Sequence, residues 1–277
     1  MTPFLNWAGG KRWLVAKHAE LLWADASRLI EPFLGSGAVY FHLQPKAAIL
    51  ADLNRELILT YSALRDDYQT VLRHLRSHHR RHDRDHYYSV RTSRPPTNAA
   101  RAAKFIYLNR TCFNGLYRVN ARGAFNVPKG TKDAVLYPTD DFERLSHILQ
   151  GAELLACDFE DTIAQAGVGD LVYADPPYTV KHNSNNFLKY NERIFSWEDQ
   201  KRLAVSLAEA AARGAHVLVS NADHASVREL YSASCWSHIT LWRHSRLASS
   251  SQHRGRTTEV VISNYLSGSG EYEDPRW

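Results

Sequence analysis

A short apolar run that ends in two prolines constrains the fold of this chain more than any other feature. Residues 170–174 read Asp-Leu-Val-Tyr-Ala, and Asp175-Pro176-Pro177-Tyr178 follows directly. Such a run is typical of a buried parallel strand, and proline cannot continue the hydrogen-bond ladder of a central strand. We therefore predict that the strand ends at Ala174 and that the motif lies where open α/β sheets bind their ligands, at the carboxyl ends of the strands.

Apolar segments typical of strands alternate with helical patterns along most of the chain. The strand candidates are 27–33, 47–53, 153–156, 171–174, 216–220, 239–242 and 259–263. The helix candidates are 11–23, 56–64, 68–80, 99–109, 140–150, 197–212 and 225–231. This alternation predicts an α/β fold, with a largely parallel sheet and helices on both faces.

The positive charge is concentrated in one helical segment. Residues 55–133 hold sixteen Lys or Arg and six Asp or Glu, a net charge of +10, whereas the rest of the chain carries −5. A basic block inside an otherwise acidic protein indicates a polyanionic partner; a solvated helical face is the alternative.

Composition narrows the class of protein further. The three cysteines, Cys112, Cys157 and Cys235, have no paired spacing, so neither a disulfide framework nor a zinc site is expected. The sequence lacks both a signal-peptide pattern at Met1 and an apolar run of membrane-spanning length. We therefore expect a cytoplasmic protein with no membrane partner.

The Asp-Pro-Pro-Tyr motif suits an exocyclic amine as its target. Ionised Asp175 only accepts hydrogen bonds, and the Pro176 carbonyl can accept a second one. Two acceptors could hold both amino hydrogens of an adenine and free the nitrogen lone pair to attack a methyl sulfonium, while Tyr178 stacks on the base. The alternative is a Pro-Pro loop after a strand, because a motif is a hypothesis until its context supports it.

Further segments give that context. They are Asn6–Lys11, Glu31–Gly37, Ala51–Asn54, Leu108–Arg118 and Gly123–Pro128. In order and spacing, the chain closely resembles the Dam-type (class alpha) site-specific DNA adenine-N6 methyltransferases from Phe4 to Tyr265. The resemblance implies a Rossmann-like sheet that uses S-adenosylmethionine, and methyl transfer to N6 of adenine in double-stranded DNA by base flipping. It assigns 1–53 and 138–277 to a catalytic domain and 54–137 to a helical target-recognition domain.

The cofactor residues combine local reasoning with the resemblance. Gly35 and Gly37 follow a strand and let the backbone approach a ligand; Asp52, at the next strand end, can hold ribose hydroxyls or, alternatively, cap a helix. The resemblance adds Trp7, Lys11, Phe33, Asp158, Phe159 and Asp175. The alternatives are a core position for Trp7 and a solvated side chain for Lys11.

The resemblance also assigns residues to DNA. Phe113 and Asn114 match positions that enter the duplex, and Arg118 matches an arginine that reads guanine. The remaining DNA candidates are Asn6, Leu116, Asn120, Arg122 and Pro128. Family members usually carry Lys where Asn6 stands, and this change weakens any carry-over of a GATC recognition sequence, so the recognition sequence stays open.

Alternatives and partners complete the expectation. An inactive DNA-binding protein with this fold is one rival, and a cytosine-N4 or RNA adenine methyltransferase is another. We expect a monomer of bacterial or phage origin, with a cognate restriction endonuclease as a conceivable partner. His78, His82 and His86 fall at helical spacing, but a basic face near DNA is favoured over a metal site, and no metal is required.

Overall fold

The computed structural model describes residues 1–115, 117–120, 123–181, 195–244, 256–266 and 270–272. Its strands are β1 Arg28–Glu31, β2 Ala48–Ala51, β3 Ala152–Leu155, β4 Asp170–Ala174, β5 His216–Ala222, β6 Ser237–His244, β7 Arg256–Ser263 and β8 Gly270–Tyr272. Its α-helices are α1 Arg12–Lys17, α2 Ala38–Leu43, α3 Arg55–Arg80, α4 Arg84–Thr92, α5 Asn98–Thr111, α6 Phe142–Leu149, α7 Phe159–Ile163, α8 Trp197–Ala212 and α9 Ala225–Leu230. Among the described helices, none combines the length and apolarity that a membrane span needs.

The chain forms two compact units, each discontinuous in sequence. The first unit comprises Met1–Val15 and Leu34–Cys157, and the second comprises Ala16–Phe33 and Asp158–Trp277. The predicted helical segment 54–137 lies within the first unit, so the division into units follows other boundaries than the predicted domains. The assignment of 54–137 as a target-recognition domain stays a prediction.

The first unit contains a parallel strand pair and the basic helices, which are the helices α3, α4 and α5 of the positively charged segment 55–133. Strands β2 and β3 pair in parallel, with Ala48 opposite Ala152 and Ala51 opposite Leu155. Helix α3 packs against α5 and α6. Two helices are predicted over 56–64 and 68–80; they form one helix with a kink at Asp67, where φ is −153° and ψ is 64°.

Arg110 is the polar centre of the first unit. Its side chain is fully buried and donates to both carboxylate oxygens of Asp140, at 2.6 and 2.7 Å. It also donates to the carbonyls of Phe4, at 2.9 Å, and Val135, at 2.9 Å. A buried guanidinium is tolerated only when its charge and donors are satisfied, and these contacts tie α5 to the N-terminal segment.

The second unit holds the predicted α/β sheet. Strands β1 and β4 and strands β4 and β5 pair in parallel, and all five residues of β4 are buried. Strand β7 runs antiparallel between β5 and β6, so the sheet includes an antiparallel strand. The fold class is therefore the predicted one. The composition of the tail from Ser267 onward predicts flexibility, but within it Gly270–Tyr272 pair with β6 as strand β8.

A local sequence signal sets the start of α8. The Ser196 Oγ accepts a hydrogen bond from the Asp199 amide, at 3.1 Å, and the Ser196 amide donates to Asp199 Oδ2, at 2.8 Å. This reciprocal cap satisfies backbone donors that a helix N-terminus otherwise leaves unpaired. The helix begins at Trp197, as predicted.

Candidate active site and nucleic-acid interface

The Asp-Pro-Pro-Tyr motif leaves the end of β4, as predicted, and is held by the strands and helix around it. The Tyr178 hydroxyl donates to Glu259 Oε2 at 2.7 Å. Gln200 Nε2 donates to the Pro177 carbonyl at 3.4 Å, and Gln200 Oε1 accepts from Asn221 Nδ2 at 3.0 Å. Because Gln200 and Asn221 are fully buried, this chain of hydrogen bonds fixes the loop to β5 and α8.

The electrostatics of the motif keep its tyrosine neutral. Burial, followed by the negative charges of Glu259 and Asp175, raises the pKa of Tyr178 well above its ordinary value. Burial and Asp175 raise the pKa of Tyr173 in the same direction. Tyr178 thus presents an uncharged ring whose hydroxyl donates a hydrogen bond.

An aromatic cluster lies in the same unit and contains two predicted cofactor residues. Phe33 and Phe159 stack with ring centroids 5.5 Å apart. Phe195 contacts the Phe33 ring edge-on, with centroids 5.5 Å apart, although no sequence signal had marked it. Flat apolar faces of this kind suit a planar heterocycle.

Asp158 is held in a charged network beside that cluster. Its Oδ1 accepts from the Glu160 amide, at 3.0 Å, and from Arg202 Nη2, at 3.0 Å. Arg202 also bonds Glu160 and Asp199 and lies 4.9 Å from the centre of the Phe159 ring. Sequence reasoning missed Arg202; its spacing of three from Asp199 on a helix was the available signal.

The glycine loop of the first unit brings three predicted residues together. Gly35 and Gly37 have φ of 48° and 64°, a region that glycine adopts without strain. A Cβ at Gly35 would lie 2.7 Å from Cδ1 of Trp7, so this glycine is required for the close approach of the tryptophan. The Gly35 amide donates to Asp52 Oδ2 at 3.1 Å.

Asp52 is bound to the loop and is not a helix cap. Its Oδ1 accepts from the Asn54 amide at 2.9 Å, and Asn54 itself caps α3. Burial raises the pKa of Asp52, while the amides of Asn54 and Gly35 act against this shift. The partly buried carboxylate retains lone pairs that can accept hydrogen bonds from hydroxyl groups.

Trp7 and Lys11 flank the same loop. The Trp7 ring is partly buried and stacks with Phe105 and Tyr117, with centroids 6.5 Å apart in each pair. Lys11 is only 3% exposed and its Nζ donates to the Gly9 carbonyl at 2.9 Å. A solvated side chain is therefore the wrong interpretation of Lys11.

Two DNA candidates stand at an exposed turn. Phe113 is 52% exposed, and Asn114 has φ 56° and ψ 11°, which non-glycine residues seldom adopt. The turn is anchored because the Phe113 amide donates to the Pro128 carbonyl at 2.9 Å. An exposed aromatic ring on a fixed backbone is suited to insertion between the stacked bases of a nucleic acid.

The other DNA candidates fall into four groups. Pro128 is exposed and accepts from the Phe113 amide through its carbonyl. Arg118 is exposed, with Nε 3.3 Å from Asn126 Oδ1, and exposed Asn120 accepts from the Ala124 amide at 3.0 Å. Asn6 is partly buried, and its backbone exchanges hydrogen bonds with Asn109 at 2.8 and 2.7 Å. Leu116 and Arg122 lie outside the described residues.

The histidines do not share one helix. His78 lies on α3 and His86 on α4, with His78 Nδ1 3.0 Å from His86 Nε2. Burial lowers the pKa of His78 to about 4. His82 Nδ1 lies 2.8 Å from the Tyr107 hydroxyl. No metal-holding group of His, Cys, Asp or Glu occurs among the described residues.

The fold and the motifs are those of the class of S-adenosylmethionine-dependent methyltransferases. The sheet is largely parallel with an antiparallel strand, a glycine loop is present, and Asp-Pro-Pro-Tyr follows a buried strand. The chain belongs to the D12 class N6 adenine-specific DNA methyltransferase family, whose model matches residues 7–246. The methyl donor of this family is S-adenosylmethionine.

Several named methyltransferases are similar in sequence to this chain over most of its length. It is 34% identical over 274 residues to the Type II methyltransferase M1.LlaDCHI of Lactococcus lactis, covering 96% of each protein. It is 37% identical over 236 residues to the DNA adenine methylase of Serratia marcescens, covering 82% of this chain and 86% of the relative. A DNA adenine methylase of Vibrio cholerae is 34% identical over 234 residues, covering 82% and 84%.

Proposed function

We propose that this protein transfers a methyl group to N6 of an adenine extruded from double-stranded DNA, at a site built on Asp175–Tyr178. The observation that carries the proposal is the anchored loop, with Tyr178 bonded to Glu259 and Pro177 to Gln200. Asp175 and the Pro176 carbonyl accept the two amino hydrogens, and Tyr178 stacks on the base. Held in this way, the nitrogen lone pair would be free to attack the methyl group that a sulfonium donor would supply, with a thioether as the leaving group and the amine proton passing to solvent.

The residues present fit the methyl donor. At Gly35 the backbone of the glycine loop lies directly beside Trp7, because no Cβ separates them. The Asp52 carboxylate, which accepts from the Gly35 amide, can also accept hydrogen bonds from ribose hydroxyls. The resemblance assigns Lys11 to the methionine carboxylate of the donor and Asp158 with Phe159 to its adenine, and Phe33 stacks on Phe159. When bound, S-adenosylmethionine supplies the methyl group as an electrophilic sulfonium.

The test is methylation of duplex DNA by the purified protein with methyl-labelled S-adenosylmethionine. Nucleoside digests should contain the label in N6-methyladenine, and modification-sensitive sequencing should reveal one short site. Label in N4-methylcytosine, or in RNA alone, would contradict the proposed target. Cofactor binding without any transfer would instead support the inactive DNA-binding alternative.

The DNA side of the proposal follows from charge and exposure. A segment with a net charge of +10 supplies phosphate contacts, and Phe113 with Asn114 fills the place that the extruded adenine leaves. Asn6, Leu116, Asn120, Arg122 and Pro128 complete the proposed contact set. We propose a cytoplasmic monomer, and the Type II name of M1.LlaDCHI makes a restriction partner worth testing.

Arg118→Ala should relax the recognition sequence more than it weakens binding. A guanidinium that forms two hydrogen bonds with one guanine contributes about 1–3 kcal/mol of discrimination against the wrong base. Arg118 is exposed and its Nε donates to Asn126 Oδ1, which holds the guanidinium at the surface, where it can reach a base edge. Sequencing of methylated sites compares the variant with wild type; an unchanged site profile at uniformly lower activity would reject Arg118 as a base reader.

A further inference from the structure

We propose that Glu259 is a positioning residue that holds the Tyr178 ring in its working orientation. The inference rests on the proposed role of Tyr178 as the surface on which the target base stacks. Glu259 lies on β7, a different element from the Asp-Pro-Pro-Tyr loop, and no sequence motif had marked it.

The location of Glu259 needs an explanation because a carboxylate is costly there. Strand β7 lies between β5 and β6, and Glu259 is opposite Ala222 on one side and Leu241 on the other. Glu259 is 2% exposed, and the next three residues of the strand are fully or almost fully buried aliphatic side chains. An aliphatic residue would pack here without the desolvation cost, so the charge has a use beyond packing.

The hydrogen bond from Tyr178 supplies that use. The 2.7 Å distance between the Tyr178 hydroxyl and Glu259 Oε2 is typical of a neutral donor on an ionised acceptor. This bond fixes the direction of the long axis of the ring, because rotation about the Cα–Cβ bond would carry the hydroxyl oxygen away from Glu259. The backbone of the loop is fixed separately by Gln200, so Glu259 acts on the ring itself.

The effect of the carboxylate on the phenol points the same way. Glu259 raises the pKa of Tyr178 beyond what burial does, so the hydroxyl stays protonated and continues to donate. A base that swings into the site therefore meets a ring already in place. Preorganisation of this kind favours the reacting arrangement over simple binding, so its loss should lower turnover more than affinity.

A double-mutant cycle on the intact protein tests the proposal. The variants are Glu259→Gln, Tyr178→Phe and the double variant, with single-turnover methylation rates and dissociation constants for DNA and S-adenosylmethionine measured for each. Each single variant should lower the rate about 10-fold, the effect of one charge-assisted hydrogen bond, with affinities changed by no more than about twofold. The double variant should lose no more than Tyr178→Phe alone, because without the hydroxyl the residue at position 259 has no donor left to bind.

Tyr173→Phe is the matched control. It removes another buried tyrosine hydroxyl of the same sheet, which lies 3.2 Å from Ser220 Oγ, and it should lower the melting temperature without changing the rate. Glu259→Asp is the second variant: it retains the charge but withdraws the acceptor by one methylene, and an intermediate rate is expected.

The outcomes separate this inference from the proposed function. Wild-type turnover in Tyr178→Ala would overturn the stacking role itself. A large loss in Tyr178→Ala, with normal rates in Glu259→Gln and Tyr178→Phe, would overturn only the positioning role. Independent, multiplying losses in the double variant would overturn it as well, and so would losses confined to affinity.

Discussion

Asp175→Ala should abolish most methyl transfer and leave DNA binding largely intact. Asp175 is the proposed anionic acceptor for the target amine, and removal of one preorganised polar partner of a reacting group lowers turnover about 10²- to 10³-fold. The loop should persist, since Tyr178 and Pro177 keep their bonds to Glu259 and Gln200. Single-turnover methylation and DNA-binding titrations on the same preparation give the two quantities.

Asp161→Ala supplies the comparison for this loss. Asp161 is an exposed carboxylate on α7 of the same unit, so its removal makes the same change in net charge away from the motif. We expect wild-type turnover in Asp161→Ala. Near-normal turnover in Asp175→Ala, or an equal loss in both variants, would remove Asp175 from the proposed chemistry.

Arg110→Ala should cause the largest loss of stability. The substitution removes the guanidinium donors from the Asp140 carboxylate and from the Phe4 and Val135 carbonyls. Removing one partner of a buried ion pair lowers the free energy of unfolding by about 3–5 kcal/mol. Denaturant titration of wild type and variant measures the difference.

Arg101→Ala is the matched control for stability. Arg101 forms an ion pair with Glu56, and both side chains are more than one-third exposed. Pairs in that setting contribute about 0–1 kcal/mol because water screens them. A loss at Arg110 no greater than the loss at Arg101 would show that the buried network contributes little to stability.

Sequence alone predicted those parts of the fold that depend on local patterns. The buried strand β4 and its break at two prolines follow from a short apolar run and from the chemistry of proline, and α8 follows from the helical pattern over 197–212. The two predicted helical patterns form a single helix, and the kink at Asp67 lies at the boundary between them. The glycine loop and Asp52 meet as their strand-end positions predict.

The residues that sequence reasoning missed act over long distances in the chain. Glu259 reaches Tyr178 from another strand, and Arg202 reaches Asp158 from another helix. Neither pair has a spacing that periodicity can detect, because the contacts exist only once the elements have packed. Arg110 was likewise inconspicuous among the many arginines of the basic segment.

The parallel pairing of β2 and β3 has a consequence for the order of folding. Ala51 ends β2 and Ala152 begins β3, and all the basic helices lie in the connection between them. Closing so long a loop costs chain entropy before any strand contact repays it, and contacts between distant residues slow folding. We therefore expect α3, α5 and α6 to dock first and shorten the gap. Helices α3 and α5, which belong to the segment predicted to bind DNA, would then also serve as a template on which the β2–β3 pair is assembled.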